Sequence, residues 1–99
     1  MLYRIEYAPE AERHLRLLTA RQRAIVQDEV QRQLGYQPQV ETKNRKRMRT
    51  NSLAPWELRV REFRVYYEVV GRTAGVVHVL AIGIKLHDKV HIGKEIIDL

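Results

Sequence analysis

Hydrophobic and polar positions alternate in the middle of the chain. In the segment ELRVREFRV, residues 57–65, apolar side chains recur at every second position on both sides of Arg61 and Glu62. This period of two is typical of half-buried strands, and a two-residue loop is the commonest hairpin connection. The pattern therefore predicts a hairpin in which Val60 pairs with Phe63.

The same register places Arg59 directly opposite Arg64, although like charges facing each other destabilise a sheet. Glu57 and Tyr66 are predicted to lie on the same face as the two arginines. In one interpretation, Glu57 and Glu68 neutralise the arginines in a surface network of low energetic value. In the other, the guanidiniums, the carboxylate and the phenol form a patch that binds a phosphodiester, with Glu57 as proton acceptor.

Other periodicities predict the elements before the hairpin. Alternation from Leu2 to Tyr7 predicts a first strand. Pro9 suits the first turn of a short amphipathic helix. Thr19 and Gln22 match a capping box, and the apolar stripe that follows predicts a second helix over Ala20–Leu34.

After the hairpin, Phe63–Val70 is its second strand, Gly71–Gly75 is a turn, and the nearly continuous apolar run Val76–Ile84 is typical of a central strand. The last fifteen residues end in a closing strand or turn with Ile96, Ile97 and Leu99. Because the helices must bury their apolar stripes, they are predicted to cover one sheet face. The prediction is one α+β domain over residues 1–99, with two N-terminal helices packed on a mainly antiparallel sheet of four or five strands.

Composition narrows the classes of function. The chain has 99 residues, of which 44% are hydrophobic and 30% charged, which fits one domain without covalent crosslinks. It has no cysteine, and this excludes disulfides and thiol catalysis. No apolar run is long enough to cross a bilayer and no secretory signal is evident, so we expect a cytoplasmic protein without a membrane partner. Eighteen Lys and Arg against twelve Asp and Glu give a formal charge of +6, which attracts polyanions or an acidic partner.

A basic run precedes the hairpin, and no acidic residue occurs from Thr42 to Trp56. It can form a charged edge strand that resists pairing with other sheets. Alternatively, it is a surface that contacts RNA phosphates and releases counterions. The predicted RNA-binding residues are Lys43, Arg45, Lys46, Arg47 and Arg49.

The histidines give a weaker indication of chemistry. His87 and His91 have a spacing that suits a metal on a helix, but their segment resembles a loop or strand and has no third ligand. We therefore predict neither a metal site nor a cofactor. His91, close to Lys85, is predicted to act as a general acid because its intrinsic pKa is near neutral.

The order of elements and two segments carry a resemblance to a known family. The segments are WELRVREFRVYYEV, residues 56–69, and VHVLAIGIKLHDKVHIG, residues 77–93. Together they resemble the RelE/ParE superfamily of bacterial type II toxins over essentially the whole chain. The resemblance implies a RelE/ParE-like toxin domain whose cognate antitoxin is a small acidic or amphipathic polypeptide, bound in a hetero-oligomer.

In the RelE-like branch, the resemblance implies metal-independent cleavage of mRNA on the ribosome. The ribose 2′-hydroxyl attacks the adjacent phosphate and leaves a 2′,3′-cyclic phosphate. The positions that match the catalytic set are Glu57, Arg59, Arg64, Lys85 and His91. The ParE-like branch instead inhibits DNA gyrase, and a catalytically inactive RNA-binding module is a third alternative.

Overall fold

Both helices begin where the sequence predicts them. The structure is a computed structural model that describes residues 2–71, 75–93 and 95–97. Helix α1 (Pro9–Arg16) has its proline in the first turn. Helix α2 (Ala20–Leu34) has the predicted capping box. The Thr19 amide donates to Gln22 Oε1 at 2.9 Å, and the Gln22 amide donates to Thr19 Oγ1 at 3.1 Å.

In the described part of the chain, seven strands form one sheet, rather than the predicted four or five. The additional strands come from segments with few apolar residues or little alternation, including the basic run and the last ten residues, so sequence periodicity did not separate them. The strands are β1 (Arg4–Tyr7), β2 (Arg45–Arg47), β3 (Trp56–Val60), β4 (Phe63–Val70), β5 (Val76–Leu86), β6 (Lys89–Ile92) and β7 (Glu95–Ile97).

The sheet is antiparallel in the order β2-β3-β4-β5-β6-β7, and β1 pairs in parallel with β5. Since β4 occupies one edge of β5, both β1 and β6 lie along its other edge. Between them, the backbone amide of Ile82 donates to His14 Nδ1 of α1 at 3.1 Å. Helix α1 therefore supplies the hydrogen bond that a strand would otherwise provide.

The two faces of the sheet differ in what covers them. The helix face, which carries Leu58, Val65 and Tyr67, packs against α1 and α2 in the main hydrophobic core. The outer face carries Glu57, Arg59, Arg64 and Tyr66, and a smaller apolar cluster there includes Ala54 and Val90. The α+β class is thus confirmed, and the strand pleat sorts consecutive residues between two unlike surfaces.

Two predicted features lie partly outside the described residues. The turn predicted over Gly71–Gly75 includes residues 72–74, and the closing segment ends in Leu99. The described part of that segment forms β6 and β7, so it contains two strands where one closing strand or turn was expected.

Candidate nucleic-acid interface

The central hairpin has the predicted register. Val60 pairs with Phe63, and Arg59 lies directly opposite Arg64 on the outer face. Glu57 pairs with Tyr66 one row further along, and Lys46 of β2 stands opposite Glu57 on its other side. A carboxylate therefore lies between a lysine and a tyrosine in a cross-strand row beside the paired arginines.

The two facing arginines have separate partners, and this explains how the sheet tolerates them. Arg59 Nε donates to Glu57 Oε1 at 3.2 Å. Arg64 instead turns Nη1 to the hairpin loop, where it donates to the carbonyls of Arg61 and Phe63 at 2.7 and 2.8 Å. Because each guanidinium is compensated on its own side, no bound anion is needed to hold them together.

Arg64 is largely structural as well as close to the site. Arg64 is 9% exposed, whereas the Arg59 side chain is 46% exposed. The hydrogen bonds of Arg64 stabilise the hairpin loop, in which Arg61 has a φ of 55°. This left-handed conformation is unfavourable for residues other than glycine. The amide of Lys85 adds a further bond to the carbonyl of Glu62 at 2.7 Å. Arg59 is therefore the arginine that is available to a ligand.

A cleft of about 610 Å³ opens on the outer face around these residues. Six cationic side chains and two carboxylates line it, so its charge is strongly positive. The charged lining residues are Lys46, Arg47, Arg49, Arg59, Arg64, Lys85, Glu57 and Asp88. Asp88 was not singled out from the sequence, because nothing in its turn segment marks it as part of a site.

The structure brings Lys85 to the cleft but places His91 elsewhere. Lys85 pairs with Val90, which packs in the small cluster of the outer face. His91 follows Val90 and pairs with Ile84, which packs against the main core, so it lies on the helix face. The proposed acid is therefore separated from Glu57 by the thickness of the sheet.

The basic run is divided by the same alternation, and it forms the edge strand β2. Arg45 points to the helix side, where its Nη1 donates to the carbonyls of Gln33, Tyr36 and Gln37 at 3.3, 3.0 and 2.6 Å. Arg47 lies over the Trp56 ring at 5.6 Å. Lys46 faces outward opposite Glu57.

Arg47, Lys46 and Arg49 line the cleft, whereas Arg45 and the exposed Lys43 do not. Of the residues predicted to bind RNA, three thus share the cleft with the candidate catalytic residues.

Tyr66 is a buried residue with a polar hydroxyl, and it pairs across the hairpin with the cleft residue Glu57. It is fully buried, and its hydroxyl has no hydrogen-bond partner in the described chain. Burial, and to a smaller extent the Glu57 carboxylate, raise the pKa of Tyr66. The sequence placed Tyr66 opposite Glu57, but it gave no sign that the hydroxyl would be left unpaired.

The described ranges contain neither a metal-binding cluster nor a membrane-spanning helix. No three His, Cys, Asp or Glu residues there are arranged to hold a metal ion. None of the described helices is long and apolar enough to cross a membrane.

No protein-family model matches this chain, and no curated protein matches it at a significant level. The resemblance to the RelE/ParE superfamily stays a prediction.

Proposed function

We propose that this protein is an RNA endonuclease that cuts mRNA on the ribosome and acts as the toxin of a type II toxin–antitoxin system. The observation that supports this proposal most directly is the cationic cleft with Glu57 among its lining residues. Guanidinium and ammonium groups bind phosphate through charge-assisted hydrogen bonds, and a nearby carboxylate can accept a proton. The cleft therefore offers candidates for both groups that cleavage by an internal hydroxyl needs, a ligand for the phosphate and a proton acceptor.

Four of the five candidate catalytic residues have a proposed role. Glu57 accepts the proton of the ribose 2′-hydroxyl, whose oxygen then bonds to phosphorus as the bond to the 5′ oxygen breaks. The departing 5′ oxygen takes its proton from solvent water and leaves as a 5′-hydroxyl. Arg59 and Lys85 stabilise the charge that builds on the phosphate oxygens. Arg64 holds the hairpin loop that positions Arg59. His91 has no role in this proposal because it lies on the helix face.

The decisive experiment is induced expression followed by analysis of cellular RNA and DNA. We expect translated messages to be cut, with 2′,3′-cyclic phosphate ends, and purified protein to cut mRNA only when ribosomes are present. Intact RNA with damaged DNA would favour gyrase inhibition. RNA that is bound with salt-sensitive affinity but never cut would favour a binding module.

A pair of arginine variants tests whether the cleft itself binds RNA. Arg59→Ala removes an exposed cleft cation, and Arg21→Ala removes an exposed cation of α2 that does not line the cleft. Each phosphate contact on a single strand contributes about 0.7 to the slope of log affinity against log salt. We expect Arg59→Ala to reduce the magnitude of this slope by about that amount and Arg21→Ala to leave it unchanged.

The proposed antitoxin is a small acidic or amphipathic polypeptide that covers the cleft. The net charge of +6 and the concentration of cations in the cleft favour an extended acidic ligand. Co-expression with the product of a neighbouring gene should yield a stable complex and relieve growth arrest. Lys46→Glu should weaken this complex, whereas reversal of the distant Arg21 should not.

A further inference from the structure

The Tyr66 hydroxyl is an anomaly in an otherwise well-paired interior. Among the described residues it is the only buried side-chain nitrogen or oxygen without a hydrogen-bond partner. A buried hydroxyl that stays unpaired is costly, so such groups usually have a partner in some functional state. Its cross-strand neighbour Glu57 is a hydrogen-bond acceptor, but no hydrogen bond of good geometry joins the two side chains. Burial raises the pKa of Tyr66 most, and the charge of Glu57 and its hydrogen-bonding contact with the hydroxyl raise it further.

In the free protein, the Glu57 carboxylate forms an ion pair with Arg59 and accepts a hydrogen bond from it. The contact between Arg59 Nε and Glu57 Oε1 measures 3.2 Å, longer than the usual 2.7–2.9 Å of a charge-assisted bond. The Glu57 side chain is 12% exposed and the Arg59 side chain is 46% exposed. The pair therefore joins a confined carboxylate to a guanidinium that can turn toward the cleft.

We propose that Glu57 exchanges partners when a phosphodiester enters the cleft: the phosphate takes Arg59, and the Glu57 carboxylate accepts a hydrogen bond from Tyr66. The exchange rests on the proposed function, because it takes the RNA phosphate as the incoming anion. A phosphate offers Arg59 a bidentate contact that the present geometry with Glu57 does not. The Tyr66 hydroxyl stays protonated and donates a hydrogen bond to Glu57. This bond replaces the one that the carboxylate loses when Arg59 turns to the phosphate.

In this exchange Tyr66 is a positioning residue. Its hydroxyl holds one oxygen of Glu57 and leaves the other for the 2′-hydroxyl proton. The neighbouring Tyr67 provides a matched control, since it is equally buried but its hydroxyl already donates to the Pro38 carbonyl at 2.6 Å. Replacing each tyrosine by phenylalanine removes the same hydroxyl. In Tyr67 this hydroxyl has a hydrogen-bond partner in the free protein, and in Tyr66 it does not.

The first experiment titrates Tyr66→Phe and Tyr67→Phe with a 2′-O-methyl RNA oligonucleotide, which cannot be cleaved. Tyr66→Phe should weaken binding about tenfold, the effect of one hydrogen bond to a charged acceptor that exists only in the complex. Its thermal midpoint should be unchanged or higher, because the free protein loses no bond. Tyr67→Phe should lower the midpoint and leave the affinity unchanged.

A second experiment needs no RNA. In an Arg59→Ala background, Glu57 has lost its guanidinium and should already use Tyr66, so adding Tyr66→Phe should now lower the thermal midpoint. An unchanged midpoint in this background, or RNA affinity that Tyr66→Phe does not alter, would overturn the exchange alone. Wild-type protein that neither binds the oligonucleotide nor cuts ribosome-bound mRNA would overturn the proposed function with it.

Discussion

Tyr66 and Tyr67 are consecutive and fully buried, yet they lie on opposite faces of β4 and in different situations. Tyr67 donates its hydroxyl to the Pro38 carbonyl and stacks on Trp56 with ring centroids 6.1 Å apart. Tyr66 lies beside Glu57 with its hydroxyl unpaired in the described chain. On the helix face, the Tyr67 hydroxyl has a hydrogen-bond acceptor within the fold. On the outer face, the Tyr66 hydroxyl has none among the described residues.

The cations of β2 show the same division. Arg45 donates to three backbone carbonyls in the last turn of α2 and just after it, while its neighbour Lys46 lines the cleft. The difference teaches that a charged residue in this protein cannot be assigned to RNA binding by its charge alone. At Arg45 and Lys46, the alternation of the strand decides whether the side chain binds carbonyls of the fold or faces the cleft, and mutations at these two positions should separate the roles.

The largest effect is expected from Glu57→Gln. Removing the proposed base without changing its shape should lower ribosome-dependent cleavage by roughly 10² to 10⁴-fold, the usual contribution of general base catalysis. Asp88→Asn is the matched control, since Asp88 is the other carboxylate that lines the cleft. His91→Ala should leave the rate unchanged. A rate lost in His91→Ala with a normal thermal midpoint would contradict the assignment of His91 to the helix face.

Arg45→Ala and Lys46→Ala should produce opposite results at adjacent positions. Loss of Arg45 unpairs carbonyls that it now binds, and we expect a decrease of about 2–3 kcal/mol in the free energy of unfolding. Lys46→Ala should leave stability unchanged and weaken RNA binding. Urea unfolding and RNA titration of both variants measure the two effects. Equal losses of affinity at normal stability would show that both residues contact RNA.

A smaller loss of stability is expected at the facing arginines. Arg64→Ala should lower the free energy of unfolding by about 1–3 kcal/mol, since two carbonyls of the hairpin loop lose their donor. Relief of repulsion from Arg59 does not offset this, because the guanidiniums already point to different acceptors. Arg59→Ala should change stability by less than about 1 kcal/mol, as expected for an exposed ion pair. Equal stability of the two variants would contradict the structural role of Arg64.

The sequence predicted those parts of the fold that depend on local pattern. The capping box, the start of each helix and the register of the central hairpin follow from residues that are neighbours in the chain or across one turn. From the register alone, Glu57, Arg59, Arg64 and Tyr66 were expected on one face. The direction of each guanidinium was not predictable, because it depends on which carbonyls the folded loop presents.

What the sequence did not predict concerns how the strands pair. His91 and Lys85 are near in sequence, but the pairing of β6 with β5 puts them on opposite faces, and a shift of one residue would have reversed this. The parallel pairing of β1 with β5 likewise joins segments about 70 residues apart and leaves no local signal. His14 lies on α1 and accepts a hydrogen bond from the backbone of β5, so it contributes to how this helix packs on the sheet.

That histidine gives the last and smallest prediction, which concerns how the helix face is fixed at the edge of β5. His14 Nδ1 must be unprotonated to accept the Ile82 amide. Burial, with a contribution from Arg13, lowers the pKa of His14 in the folded protein, and Glu95 opposes them in part. The unfolded chain therefore binds the proton more readily, so this stabilisation is complete above the ordinary histidine pKa of about 6.5 and decreases as the pH falls through the lower folded value.

His14→Ala should cost about 0.5–1.5 kcal/mol at neutral pH, the value of one hydrogen bond. Since the variant cannot titrate at this position, its stability should approach that of the wild type as the pH falls below about 6.5. His87→Ala, in an exposed turn, is the control and should follow the wild-type curve. Urea unfolding between neutral and mildly acidic pH measures the difference, and a gap between wild type and His14→Ala that stays constant with pH would show that His14 packs against β5 without accepting its amide.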